Sequence, residues 1–222
     1  SRQALIHIAG GARTLQEIGR RCGQIRQTSH ALHLLASNDA VERKGTCWLI
    51  RDQVLACWVN AIAAPQEQGI AASQARFEEV LTDMWLQWQA ATTQPLAARV
   101  TELFGHFRDE TVSLDHKTGR LPSFTSLLPQ RVSPEGGTYL IADGPDRRWC
   151  CLIHDRQIGE PDIAAFEQFC RAQTPRPSRK VVMTRHPVEL NATLLAKEAD
   201  MWMWQPDDLN LLFLLYGQPT LA

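Results

Sequence analysis

The chain has no stretch of apolar residues long enough to span a bilayer and no secretory leader, and its six cysteines include no Cys-x-x-Cys pair. Those absences argue against a membrane protein, a disulfide-stapled secreted domain and a zinc-ribbon site. They point to a cytoplasmic chain with free thiols and no membrane partner. No Walker-type glycine loop, HExxH, zinc-ligand spacing or GxSxG occurs either, so the common signatures of nucleotide, metalloprotease and serine-hydrolase chemistry are missing. Excess charge is missing as well: the net charge is −1. Adjacent Cys150 and Cys151 lie in an apolar strand pattern, which sends their side chains to opposite faces and puts at least one in a core.

What is present is a composition of 44% hydrophobic and 21% charged residues over 222 positions, enough for one large or two small globular domains. The charge is unevenly spread. Residues 1–64 hold eight Lys/Arg against four Asp/Glu, while residues 65–222 hold fifteen against twenty. A polyanion is therefore expected at the N-terminal part.

That part has a readable order. Leu15, Ile18 and Gly19 share one helical face, Gly23 marks a sharp turn, and Ile25, Leu32, Leu35 and Ala36 keep the period in the next segment, predicting one buried stripe on each helix. Asn38-Asp39 stops the second helix, Val41-Glu42-Arg43 and Cys47–Ile50 read as strands, and Lys44-Gly45 reads as the tight turn between them. Two helices followed by a hairpin predict a winged helix-turn-helix, a module that most often lays its second helix in the major groove of DNA. On that reading Gln24, Arg26, Gln27, Thr28, Ser29, His30 and His33 lie on the recognition helix. Arg43 and Lys44 sit at the wing tip, and Arg20 and Arg21 at the flanking backbone. The same module can instead pack against protein.

After the hairpin comes Trp48-Leu-Ile-Arg-Asp-Gln-Val-Leu-Ala-Cys-Trp58, with Asp52 placed as a helix N-cap. A wing of the Glu-Arg-Lys-Gly type followed by Ile-Arg-Asp-x-x-Leu-x-x-Trp resembles the C-terminal region of archaeal-type P-loop ATPases of the STAND class, which occur in bacteria too. The resemblance implies that Trp58 packs back on the winged domain. It implies that an ATPase core, carrying ATP and Mg²⁺, precedes this region, so that no cofactor belongs to residues 1–222 themselves. The absence of an initiating methionine fits an excised C-terminal piece of a longer chain.

The same resemblance implies a restriction-endonuclease-like domain of the PD-(D/E)xK type over residues 70–222, joined to the winged domain (1–64) by residues 65–69. The expected fold is therefore α/β (α+β overall), with a mixed sheet flanked by helices. The pattern agrees in order. Ser73–Leu81 opens an amphipathic helix with Phe77, Leu81 and Trp85 in register, beginning with the family's Phe-Glu pair (Phe77-Glu78). Leu96–Arg108 reads as a helix and Asp115–Gly137 as a loop. Strands follow at 138–142, 149–153, 179–184 and 201–204, with helices at 161–172, 190–199 and 206–216. Trp202 and Trp204 share a strand face, expected under the closing helix.

The nuclease chemistry that the resemblance implies needs an acid on the first strand and Glu-x-Lys on the second, to hold Mg²⁺ and orient water. The acid's place falls near Thr138 or Tyr139, and the Glu-x-Lys place on His154-Asp155-Arg156. Histidine is a poor Mg²⁺ ligand, and arginine cannot give up its proton near neutral pH. A migrated site would draw on Glu78 or Glu79, Asp143, Asp155 and Arg156. Arg147-Arg148 and the Arg176–Lys180 run read as phosphate contacts or as a solvated turn and loop. Three functions stay open: a non-catalytic region binding double-stranded DNA or coupling an ATPase core to a partner subunit, a nuclease with a displaced site, and a pure protein-interaction module.

Overall fold

The computed structural model describes residues 1–71, 73–114, 117–132 and 137–221. It is a mixed α/β chain that divides into two compact units. The first comprises Ser1–Ala91, Glu110–Arg120 and Leu214–Pro219, and the second Thr92–Asp109, Leu121–Phe213 and Thr220–Ala222.

The first unit starts with three helices, α1 (Arg2–Ala9), α2 (Leu15–Cys22) and α3 (Ile25–Ser37), followed by the hairpin β1 (Glu42–Lys44) and β2 (Cys47–Leu49). Thr14 starts α2: its hydroxyl accepts from Glu17 N at 3.2 Å, while the Glu17 carboxylate accepts from Arg13 N at 3.0 Å, so two helix-end donors are satisfied. Gly23 ends α2 at φ 80°, a left-handed conformation in which a side chain would be strained. The faces that α1, α2 and α3 turn inward meet in a core of Ala4, Ile8, Ala12, Ile18, Leu32, Val41, Trp48 and Ile50.

One member of the expected stripe departs. Ile25 is 51% exposed, because it sits at the first turn of α3 beside Gly19, where the helices come so close that a Cβ on Gly19 would lie 2.8 Å from Ile25 Cγ1. Asp52 caps α4 (Gln53–Trp58), accepting from Val54 N at 2.8 Å and Leu55 N at 3.1 Å. The helix then runs through one π turn, Val59–Ala63, into α5 (Ala64–Glu67). Trp58 does not pack back as the resemblance implied. It is 44% exposed, and the inward positions are taken by Leu55, Ala56 and Cys57.

The segment expected as a loop from Asp115 to Gly137 contains two strands, and a third immediately precedes it. β3 (Glu110–Leu114) and β4 (Lys117–Leu121) form a two-stranded sheet; residues 115–116 and 133–136 of the expected loop lie outside the described residues. β3 lies against the β1–β2 turn, where Thr46 donates to Thr111 O from its backbone N (3.0 Å) and its hydroxyl (2.8 Å). A Cβ on Gly45, already at φ 67°, would stand 2.7 Å from the same oxygen. Arg13 and Tyr216 complete this side: Arg13 Nε donates to Leu215 O at 2.7 Å, its guanidinium lies 4.5 Å from the Tyr216 ring, and Tyr216 donates to Glu110 at 3.1 Å. Burial and the Glu110 carboxylate push the Tyr216 phenol up, so it stays a donor. Helix α6 (Gln74–Thr93) also belongs to this unit up to Ala91.

The second unit is built on a five-stranded sheet in the order β5 (Ser126–Arg131), β6 (Thr138–Asp143), β7 (Arg148–His154), β8 (Arg179–Thr184), β9 (Met201–Trp204). The first three strands are antiparallel, and β7, β8 and β9 run parallel. α8 (Glu160–Ala172) and α9 (Leu190–Glu198) are the crossovers. Both cover the face formed by Tyr139, Ile141, Cys150, Leu152, Val182 and Met201, through Ile163, Phe166, Cys170, Ala192 and Ala196. α7 (Leu96–Gly105) serves the other face, where Phe104 lies 6.1 Å from the Trp149 ring and 5.9 Å from Trp204.

α10 (Pro206–Leu215) adds Phe213, over which the buried Arg99 guanidinium sits at 4.1 Å. Burial on both faces explains why the central strands are apolar throughout rather than alternating. Cys150 and Cys151 point to opposite faces, and both are fully buried. Of the tryptophan pair on β9, Trp204 is buried, while Trp202 is half-buried under the Arg179 guanidinium at 4.2 Å.

Candidate nucleic-acid interface

α3 contains no aspartate or glutamate over its thirteen residues. At 3.6 residues per turn, Arg26, His30, His33 and Ser37 recur on one face, opposite the buried Leu32. All four are exposed, as are Gln24, Gln27 and, on the preceding helix, Arg20. Gln24 is the N-cap, yet its side chain makes no capping bond and remains available. Arg20 and Arg26 make no ion pair with the described residues. Arg21 is less available, bridged to Glu17 at 2.9 Å and donating to Gly10 O at 3.3 Å.

Two residues expected on this face do not reach it. Thr28 is buried and its hydroxyl donates to Gln24 O at 2.7 Å, a bond a helical threonine makes when its side chain turns back on the preceding turn. Ser29 is half-buried. The pattern reading missed Leu34, 48% exposed beside this row, and Ser37; the spacing 26, 30, 33, 37 was the signal for the serine.

The hairpin is the more constrained part. Its turn is held against β3, and both of its cations are engaged: Lys44 bridges to Glu42 at 2.6 Å, and Arg43 Nε donates to Gly45 O at 2.9 Å. The Arg43 guanidinium also lies 5.7 Å from the Trp48 ring, whose other neighbour is the edge-on His33 ring at 6.1 Å. The hairpin and α3 are thus joined through one buried tryptophan. Burial pushes the Cys47 thiol on the same hairpin up to about 11, so it is not a thiolate nucleophile at neutral pH.

In the second unit the positions singled out by the resemblance do converge. Thr138 pairs with Ile153, which brings it beside the end of β7, and His154 pairs with Thr184 at the end of β8. The pole they form lacks an unpaired carboxylate on His154-Asp155-Arg156. Asp155 faces Arg185 Nε at 3.2 Å and accepts from Leu96 N at 3.4 Å. Arg156 bridges to Asp162 at 3.0 Å, and Asp162 also accepts from Gly159 N at 3.0 Å. His154 is buried. Its Nδ1 accepts from Arg156 N at 3.3 Å, leaving the Nε2 proton inside without a partner among the described residues. Burial and the neighbouring Arg156 charge lower its pKa, so it is a neutral imidazole.

The members of the migrated nuclease site are not brought together. Asp143 is opposite Arg148 at the start of β7 and Asp155 just follows its end, a separation of about 23 Å at a strand rise of ~3.3 Å per residue. No single ion spans that gap. Asp143 is held by a bidentate pair with Arg148, at 2.5 and 3.0 Å, which raises the arginine's pKa. Glu78 and Glu79 are exposed on α6, in the first unit, where Glu78 accepts from Gln74 at 2.9 Å. Arg147 is exposed in the turn before β7, Arg176 is exposed, and Lys180 is paired with Glu167 at 2.8 Å.

Among the described residues no three His, Cys, Asp or Glu side chains are grouped to hold a metal ion, and no helix is long and apolar enough to cross a membrane. Comparison of the chain with protein-family models, with curated proteins and with solved structures returns no match, so the arrangement of its own side chains carries the functional reading.

Proposed function

We propose that the first unit is a winged helix-turn-helix that presents α3 to double-stranded DNA, and that the second is a restriction-endonuclease-like fold without nuclease chemistry. Together they would form the C-terminal region of a STAND-class P-loop ATPase, whose ATP and Mg²⁺ would reside in a core outside these residues. One observation carries the DNA reading: the exposed face of α3, with Arg20 beside it, offers two unpaired arginines and a row of amide and imidazole side chains with no carboxylate among them. Guanidinium groups in that setting suit phosphates and guanine edges, and glutamine suits adenine. Because Arg43 and Lys44 are engaged within their own hairpin, contact is assigned to the helix face rather than the wing tip. The second unit's support is its mixed sheet with helices on both faces.

The test is fluorescence anisotropy of a labelled duplex at two salt concentrations with Mg²⁺ present, followed by a check that the duplex is intact. Binding that weakens with salt and leaves the duplex uncut supports the reading. No binding at low salt overturns it. A second reading, docking on protein, is favoured by four exposed apolar side chains of the same unit, Ile25, Leu34, Val54 and Trp58; it would be left standing by that negative result.

A further inference from the structure

At about 100° per residue, Arg26, His30 and His33 fall within an arc of about 60° on α3, and all three are exposed. Histidine is the side chain whose charge changes between about pH 5 and 8, so the charge of this row is not fixed. Neither imidazole makes an ion pair or a hydrogen bond with the described residues. On α3 itself, Arg26 lies one turn before His30, and the helix carries no carboxylate. From the hairpin, Arg43 shares the Trp48 ring with His33, while Glu42 is taken by Lys44 at 2.6 Å and by Arg51 at 3.7 Å. On α2, Arg20 has no ion pair and Glu17 is bridged to Arg21 at 2.9 Å. On α1, Arg2 is bridged to Glu67 at 3.3 Å and His7 is half-buried. Asp52 caps α4, and Asp39, past the end of α3, pairs with neither histidine. The two imidazoles therefore have arginines, and no available carboxylate, as their partners in charge.

We propose that duplex DNA binds the α3 face with uptake of protons at His30 and His33, so that pH sets the affinity of this site. The inference rests on the DNA reading above and adds a regulation to it. A phosphate within hydrogen-bond reach favours imidazolium over imidazole, because it supplies the opposite charge that no carboxylate of the free chain supplies. Each proton passes from solvent to the unprotonated ring nitrogen, and no other bond forms. The complex then holds more protons than free chain and free duplex together. By linkage, affinity rises as pH falls and declines as pH rises. At a solvent-exposed site a close opposite charge is worth about threefold per imidazole, hence roughly tenfold for the two.

The experiment is anisotropy titration of the labelled duplex with the full chain at pH 8, 7 and 6, ionic strength held constant. Binding is expected to be roughly tenfold tighter at pH 6 than at pH 8. His30→Gln/His33→Gln is expected to flatten that dependence to less than about twofold, whatever it does to affinity at pH 8. His186→Gln, exposed in the second unit, is expected to keep it. Calorimetry of the unaltered chain in two buffers of different ionisation enthalpy counts the protons directly and depends on no variant. Net uptake on binding at pH 7 supports the proposal. Binding equally tight at all three pH values, or a dependence that the double variant retains, overturns it and leaves the DNA reading standing. No binding at any pH overturns both.

Discussion

The two units treat charge in opposite ways. In the second, most of the ionic groups at the ends of β7 are committed, Arg147 aside: Asp143 to Arg148, Asp155 to Arg185, Arg156 to Asp162, with Glu167 shared between Lys180 and Arg171. In the first, the hairpin cations are likewise engaged, but Arg20 and Arg26 beside the acid-free α3 are not. Paired groups hold elements together at modest net gain, while unpaired exposed arginines do nothing for the fold that a neutral side chain would not do. The contrast therefore separates charges that serve architecture from charges that are free to serve a partner.

The widest test of that contrast is to remove two charges from each side. Arg20→Ala/Arg26→Ala is expected to weaken duplex binding on the order of a hundredfold at low salt and to flatten the log–log salt slope by about 1.8, two phosphate contacts' worth. Arg156→Ala/Arg185→Ala is expected to change affinity less than about twofold. Anisotropy titrations across a salt series read both. Equal losses from the two double variants would erase the distinction between the units.

Next in size is a steric change at the pole where Thr138 and His154 meet. A Cβ on Gly137 would stand 2.8 Å from Ile153 O and 2.9 Å from both His154 Cδ2 and Leu152 Cδ1. The carbonyl belongs to a central strand and cannot move aside, so Gly137→Ala is expected to cost about 2 kcal/mol, typical of overpacking in a dense core. Chemical denaturation of the purified variant measures it. A loss below about 0.5 kcal/mol would mean that this pole is loosely packed, and that its charge pairs are not architectural in the sense argued above.

His154 gives the same pole a pH dependence. Its pKa in the folded chain is lowered, so as pH falls the unfolded chain takes up the proton first. The stability contributed by the neutral buried ring is then complete above the unfolded value of about 6.5 and is lost as pH drops below it towards the folded value. Thermal melts between pH 7.5 and 5 are expected to show a decline that His154→Gln lessens, whatever that substitution costs at pH 7.5. Parallel curves for the two proteins would show that the imidazole is not the titrating group.

The sequence was legible where one local rule decided the outcome. Asp52 as a cap, Gly23 and Lys44-Gly45 as turns and the apolar strands 138–142, 149–153 and 179–184 all follow from short-range chemistry. It was illegible where distant chain decides. β3 and β4 form from polar residues such as Thr111, Ser113, Lys117 and Thr118, with the β1–β2 turn against β3 and a Ser113–Thr118 hydrogen bond joining the two strands, and no periodicity announces those contacts. Asp143 and Asp155 were expected to meet in a migrated site, yet β7 and its preceding turn set them at opposite ends of a strand. Whether an arginine is free or spent, as with Arg26 against Arg43, cannot be read from composition at all.

Asp143 sharpens the comparison on a smaller scale. Asp143→Asn removes the charge from a partly exposed bidentate pair and is expected to cost about 1 kcal/mol, after the discount that solvent screening requires. It is expected to leave duplex integrity in Mg²⁺ unchanged, because on the proposed reading the chain without the substitution is expected not to cut either. Incubation of supercoiled plasmid with both proteins reads the second expectation. Wild-type nicking that Asp143→Asn abolishes would restore the nuclease reading of the second unit.

The smallest effect is expected at Trp58, and its smallness is the point. A tryptophan that packed back on the three-helix core, as the resemblance to the ATPase family implies, would cost about 3–5 kcal/mol on truncation. Here the ring is 44% exposed, and the helix it belongs to is fixed instead by the Asp52 cap and by Leu55 and Ala56 against the core. Trp58→Ala is therefore expected to lose less than about 1 kcal/mol, no more than the ~1 kcal/mol of Asp52→Ala at the start of the same helix. If denaturation shows the reverse order, the tryptophan is buried in solution, and the exposed patch of Val54 and Trp58 that favours protein docking over DNA disappears with it.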